Sequence, residues 1–162
     1  MSDKEKSCCF FGNIIISDSV KPRLRKEVRL AIEDGYRFFY VGCHGAFDQA
    51  VLDVLKSEKA LFPDILIHRV LYPQRRIELG YSERDPEGIQ TVIIGNSEAP
   101  YGKRIKTNYR RIAEICSLAI CCTHDHPFFG LAYEAVQYAA EIGLKTINVL
   151  DERELRDYRS LK

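Results

Sequence analysis

The chain has almost no net charge: 24 Lys and Arg against 23 Asp and Glu leave +1 over 162 residues. No global field draws it to nucleic acid or to a membrane surface, so neither is expected as a partner. Long apolar runs are also missing. Nothing approaches the ~20 consecutive apolar residues of a membrane helix, and the polar start Met1–Lys6 lacks the apolar core of a secretory signal. There is no Cys-x-x-Cys pair of the kind that marks zinc or redox chemistry. There is no G-x-G-x-x-G dinucleotide fingerprint, and no internal repeat, low-complexity tract or linker. The expectation is one soluble, cytoplasmic domain over residues 1–162, with residues 1–6 and 157–162 as flexible ends.

What is present is an ordinary globular composition, 46% hydrophobic and 29% charged, in a chain long enough to bury a real core. Six cysteines stand at 8, 9, 43, 116, 121 and 122. All but Cys43 lie in or beside apolar strand-like runs. There a free thiol packs as a small hydrophobe, so reduced, buried cysteines in a reducing compartment are expected.

Apolar strands alternate with amphipathic helices along the chain. Cys8–Phe11 reads as a strand ending at Gly12. Ser17-Asp18-Ser19 then starts a helix with Val20 or Leu24, then Val28, Ala31 and Ile32, at helical spacing, stopped by Asp34-Gly35. Arg37–Val41 is a strand and Ala46–Leu55 a helix, broken before Ile65 by Phe62-Pro63-Asp64. Ile65–Leu71 and Gln90–Ile94 are strands, separated by an irregular, charged stretch over Glu78–Gly88. After a loop at Gly95–Lys103, a helix begins at Arg104 or Thr107 and runs to Ile115. Leu118–Cys122 is a strand, Gly130–Ile142 a helix ended by Gly143, Lys145–Leu150 a strand, and Asp151–Leu155 a short last helix. This alternation predicts an α/β fold, a three-layer α/β/α sandwich around a mostly parallel sheet. In such folds ligands bind outside the carboxyl ends of the strands, where strand order reverses.

Four stretches carry candidate chemistry. Gly12-Asn13 is either a ligand-facing turn or a plain strand-end turn. Gly42-Cys43-His44-Gly45-Ala46-Phe47-Asp48 joins a strand to a helix N-terminus, which suits an anion. Asp48 either favours the helix dipole or accepts from a ribose hydroxyl, and His44 is either exposed or donates to a phosphate. Thr123-His124-Asp125-His126 invites a metal, but its histidines alternate across an extended backbone with no further ligand nearby, so no metal is expected. His124 is otherwise an acid–base candidate or part of a polar loop. Tyr101–Arg111 is a solvated basic helix face or a phosphate contact, with Arg104 and Asn108 as rim candidates. Tyr72 and Arg75, in the donor-rich loop after Leu71, complete the rim.

Three of these segments in order, Cys8-Cys9-Phe10-Phe11-Gly12, Gly42–Asp48 and Gly130-Leu131-Ala132-Tyr133, resemble the small bacterial YpsA-type branch of the SLOG superfamily, over nearly the whole chain from Cys8 to Leu150. The resemblance implies a Rossmann-like fold that binds nucleotides or nucleotide-derived signals at the strand carboxyl ends, and homodimers or higher homo-oligomers. It also implies a role for Glu134, which falls where the LOG phosphoribohydrolases of the superfamily carry a motif glutamate. The departures are specific. The branch's Gly-His-Arg is Gly12-Asn13-Ile14 here, and its Gly-Gly-Thr turn is Phe129-Gly130-Leu131. Donors that would grip phosphate are lost.

The expected function is therefore binding of a nucleotide or an NAD/ADP-ribose-type ligand, with no cofactor required, in a sensor or regulatory role. Gly42–Gly45 and Gly130 would face the phosphate or ribose. The alternatives are N-glycosidic hydrolysis of a nucleoside monophosphate through Glu134, and an interaction protein that keeps the fold alone.

Overall fold

A computed structural model describes residues 2–12, 16–42, 45–71, 89–93, 101–123 and 130–150, with backbone alone at residues 71, 91–93 and 101–105. The strands are β1 (Ser7–Gly12), β2 (Phe38–Val41), β3 (Leu66–Leu71), β4 (Gln90–Ile93), β5 (Leu118–Cys122) and β6 (Lys145–Asn148). The helices are α1 (Val20–Glu33), α2 (Ala46–Leu61), α3 (Tyr101–Glu114) and α4 (Leu131–Glu141). All strand pairs are parallel, in the order β4-β3-β2-β1-β5-β6.

This order explains the layers. The chain steps outward from β1 to β2 to β3, and right-handed crossovers then put α1 and α2 on one face. The step from β4 back across the sheet to β5, and on to β6, reverses direction, so α3 and α4 lie on the other face. Packing follows: α1 pairs with α2, and α3 with α4. β1 sits at the centre, buried on both faces. Its Cys8 and Phe10 join the α1–α2 core, and its Cys9 and Phe11 the α3–α4 core. That two-sided burial is why β1 and β5 read as unbroken apolar runs.

The expected apolar stripe of α1 is the buried one, from Val20 to Ile32. Its stop is as expected too: Gly35 takes φ +107°, while Gly35 N and Tyr36 N donate to Ile32 O and Ala31 O. Left-handed backbone of this kind is cheap only for glycine.

Helix ends moved where tertiary contacts intervened. α2 runs to Leu61 instead of Leu55, because Glu58 is buried and held by Arg29 of α1. Nε and an η nitrogen of Arg29 donate to the two carboxylate oxygens at 2.5 and 2.9 Å. α3 begins at Tyr101, inside the stretch assigned to a loop, since Gly102 hides the helical signal there. β6 ends at Asn148. The Asn148 side chain leaves the ladder and stitches β5 to the segment after β6. Its Nδ2 donates to Thr123 O at 2.7 Å, and its Oδ1 accepts from Leu150 N at 3.1 Å. The expected helix at Asp151–Leu155 and the irregular stretch Glu78–Gly88 lie outside the described residues, as do the flexible ends expected at Met1 and over 157–162. No described helix is long and apolar enough to cross a membrane.

Candidate ligand site at the carboxyl edge of the sheet

Strand order reverses between β1 and β5, whose last residues, Gly12 and Cys122, are register partners. This pair of carboxyl ends is the switch point that the topology offers to a ligand. Two helices begin near it, one in each layer.

α2 approaches on the first face. Its Phe47, fully buried, lies directly over Gly12. A Cβ at residue 12 would stand 2.7 Å from Phe47 Cβ and closer still to two ring carbons. Glycine at this position makes room for the Phe47 ring, a requirement of packing that the turn signature did not reveal. Gly45 precedes α2 in extended backbone, and Asp48 sits in its first turn, only 8% exposed. A carboxylate in the first turn sits near the positive end of the helix dipole. Gly12, Gly42, Gly45 and Asp48 thus gather around the ends of β1 and β2.

α4 begins on the second face at Gly130, whose φ of +71° and ψ of −132° favour glycine, with nothing among the described residues within 4 Å of where a Cβ would stand. The crowding that demands glycine at residue 12 is absent at residue 130, where backbone conformation alone demands it. Glu134 follows one turn later. It is exposed and pairs with Lys106 of α3 at 3.1 Å, on the seam between α3 and α4. Along the same seam the Arg110 guanidinium stacks over the Tyr138 ring at 5.1 Å, and the Tyr138 hydroxyl donates to Glu114 at 2.7 Å. That bond, with burial, holds the hydroxyl protonated above its ordinary range.

Asn108 is the unexpected member of the rim set. It is 2% exposed, and among the described residues neither its Oδ1 nor its Nδ2 has a hydrogen-bond partner. Its neighbour Tyr109 packs edge-on to Phe11 of β1, 5.3 Å between ring centroids. A buried amide without partners costs about 1–3 kcal/mol, and such groups in native structures call for a bound partner or a role. Arg104 lies in the first turns of α3, described by its backbone alone. Asn13, Cys43, His44, Tyr72, Arg75 and His124 lie outside the described residues.

His68, which is buried, and Asn148, which is exposed, are not singled out from sequence. His68 of β3 is 8% exposed and stacks on Tyr40 at 4.7 Å and on Phe38 at 6.5 Å. Neither ring nitrogen has a partner among the described residues, and burial pushes its pKa down. Asn148 is exposed at the end of β6, and its side-chain bonds to Thr123 and Leu150 arise only in the fold. Cys8, Cys9, Cys116, Cys121 and Cys122 are buried. Burial pushes the Cys8, Cys9 and Cys121 thiols up, helped by the thiols beside them. Compared with known proteins, the chain matches no family model and no curated sequence.

Proposed function

We propose that the carboxyl edge of this sheet binds a nucleotide or nucleotide-derived ligand, as the SLOG-like motifs suggest, and that the protein acts as a sensor or regulator. One observation carries the reading: two helix N-termini, those of α2 and α4, begin beside the β1–β5 switch point. Free N–H groups at a helix start favour an anion such as phosphate. The buried Asp48 supplies an acceptor for ribose hydroxyls, and the Asn108 amide, which has no partner among the described residues, supplies a donor and an acceptor for a ligand edge.

Binding is favoured over hydrolysis by the setting of Glu134. A proton donor for glycosidic cleavage works best buried away from cations, whereas Glu134 is exposed and engaged by Lys106.

Thermal shift with AMP, ADP, NAD and ADP-ribose tests the proposal. One of these is expected to raise Tm as its concentration climbs past Kd, and Asp48→Asn to weaken that rise. No shift with any of them at millimolar concentration would remove the reading. Release of free base from AMP, lost in Glu134→Gln, would favour the hydrolase instead.

A further inference from the structure

β6 is the last strand of the described sheet, and among the described residues it pairs with β5 alone. Lys145 N donates to Ser117 O at 3.2 Å, and Val149 N to Cys121 O at 2.8 Å, both toward β5. Successive residues of a strand turn their peptide groups to opposite sides. The N–H and C=O groups of Thr146 and Asn148 therefore point out of the sheet. Lys145, Thr146 and Asn148 are exposed, and Ile147 is half-buried. An edge of this kind is a template for another extended segment.

The surface beside that edge is strongly biased in charge. A groove of about 450 Å³ runs between the carboxyl-terminal half of α1 and the starts of β5 and β6. Leu118 and Ile147 line its floor, and Leu30 stands on its wall, 48% exposed. Glu27, Glu33 and Asp34 also line it, with Lys145 the one described cation there. None of the three carboxylates forms a salt bridge among the described residues. Lys145 and Ile147 are register partners of Leu118 and Ile120, so their side chains share the α1 face. A strand added along β6 would send every second side chain to that same face, toward the groove.

We propose that the β6 edge and this groove form a docking site for an extended segment of a partner protein, an apolar residue flanked two positions away on each side by Lys or Arg. The segment's backbone pairs with the peptide groups of Thr146 and Asn148. Its apolar side chain covers Ile147 beside Leu30, and its cations reach Glu27, Glu33 and Asp34. In this mode main-chain bonds supply affinity and alternate side chains supply specificity. Charge selects the occupant. An acidic segment would meet three carboxylates of its own sign, and a wholly apolar one would desolvate them unpaired. A second copy pairing through its own β6 would bring Lys145 as its one strand cation. The site lies at the starts of β5 and β6, away from the proposed ligand edge, so its test does not depend on ligand binding.

The probe is a fluorescent peptide, Thr-Arg-Thr-Leu-Thr-Arg-Thr, followed by anisotropy and by amide hydrogen exchange of the protein. It is expected to bind saturably, and roughly tenfold or more weakly in about 0.5 M salt through screening. Exchange at the Thr146 and Asn148 amides should slow on binding, while the Lys145 amide, already bonded, changes little. Glu in place of both peptide arginines should abolish binding. N-methylation of alternate peptide residues blocks strand pairing in one frame only, so one frame should lose binding and the other keep it. Glu33→Lys with Asp34→Lys in the protein should weaken binding roughly tenfold or more; if circular dichroism shows that variant unfolded, Glu33→Lys alone carries the test. The proposal is overturned if the peptide fails to bind at millimolar concentration, if its Glu counterpart binds as well, if both methylation frames bind alike, if the folded groove variant binds as the wild type does, or if the Thr146 and Asn148 amides are unaffected. Protection of those amides that grows with protein concentration in the absence of peptide would assign the edge to a second copy and overturn it too.

Discussion

Gly12→Ala is a sharp probe of this fold, because the structure says what the added methyl would strike. The new Cβ would lie 2.7 Å from Phe47 Cβ, with two ring carbons nearer still. A rotamer change at Phe47 moves the ring but leaves its Cβ in place, so the first turn of α2 must retreat. Ordinary contact begins near 3.4 Å, which sets a displacement of about 0.7 Å or more in an interior packed at crystal density. Overpacking of this kind costs about 1–3 kcal/mol, a large share of the ~5–15 kcal/mol that holds a typical domain together. Phe47→Ala alone removes the ring, including the two carbons that lie nearest the new Cβ, and should cost about 3–5 kcal/mol. In its background Gly12→Ala should become cheaper, with a coupling energy of about 1–2 kcal/mol. Urea titrations of the four proteins in the cycle measure this. Additive effects, within about 0.5 kcal/mol, would refute the steric account and return Gly12 to a role in the turn itself.

Two further outcomes follow from buried titratable groups. His68 is neutral in the native sheet because burial lowers its pKa, whereas the unfolded chain protonates near the ordinary value of about 6.5. The stability that neutral His68 contributes is therefore complete above about pH 6.5 and is lost as pH falls from there through the depressed native value. Tm measured from pH 7.5 down to 5 should drop more steeply for the wild type than for His68→Phe, and parallel curves would contradict this. The thiols of Cys8, Cys9, Cys116, Cys121 and Cys122 are buried and so shielded from a reagent in solution, and at Cys8, Cys9 and Cys121 burial also raises the pKa, which leaves little thiolate. Iodoacetamide followed by peptide mapping should leave these five unmodified in the native protein and modify them in guanidinium. Native labelling of any of them at the rate of a free thiol would count against the packing described.

The layered α/β architecture was legible in the sequence because its signal is local. Helical spacing from Val20 to Ile32, unbroken apolar strands at Cys8–Phe11 and Leu118–Cys122, and the stop at Gly35 each act over a few residues. Strand order was not local. That β5 lies against β1 depends on the chain crossing the whole sheet, and no short window of sequence reports it. The helix expected over Ala46–Leu55 runs on through Glu58 because Arg29, 29 positions earlier and on another helix, is placed against that carboxylate.

The candidate site divides in the same way. The glycines and Asp48 drew attention by their types and spacing, since turn geometry and helix dipoles act along the chain. Asn108 was a rim candidate from its sequence position, but its burial without a partner among the described residues, Phe47 over Gly12 and the stacked His68 were invisible. Each is defined by what another segment does or does not bring to it. Sequence by itself determined where this chain forms strands and helices, because propensity, periodicity and caps are properties of neighbouring residues. Tertiary structure alone decided which glycine makes room for a ring, which amide is left unsatisfied and which helices begin together at the switch point, because burial and contact arise only when distant segments share the same space.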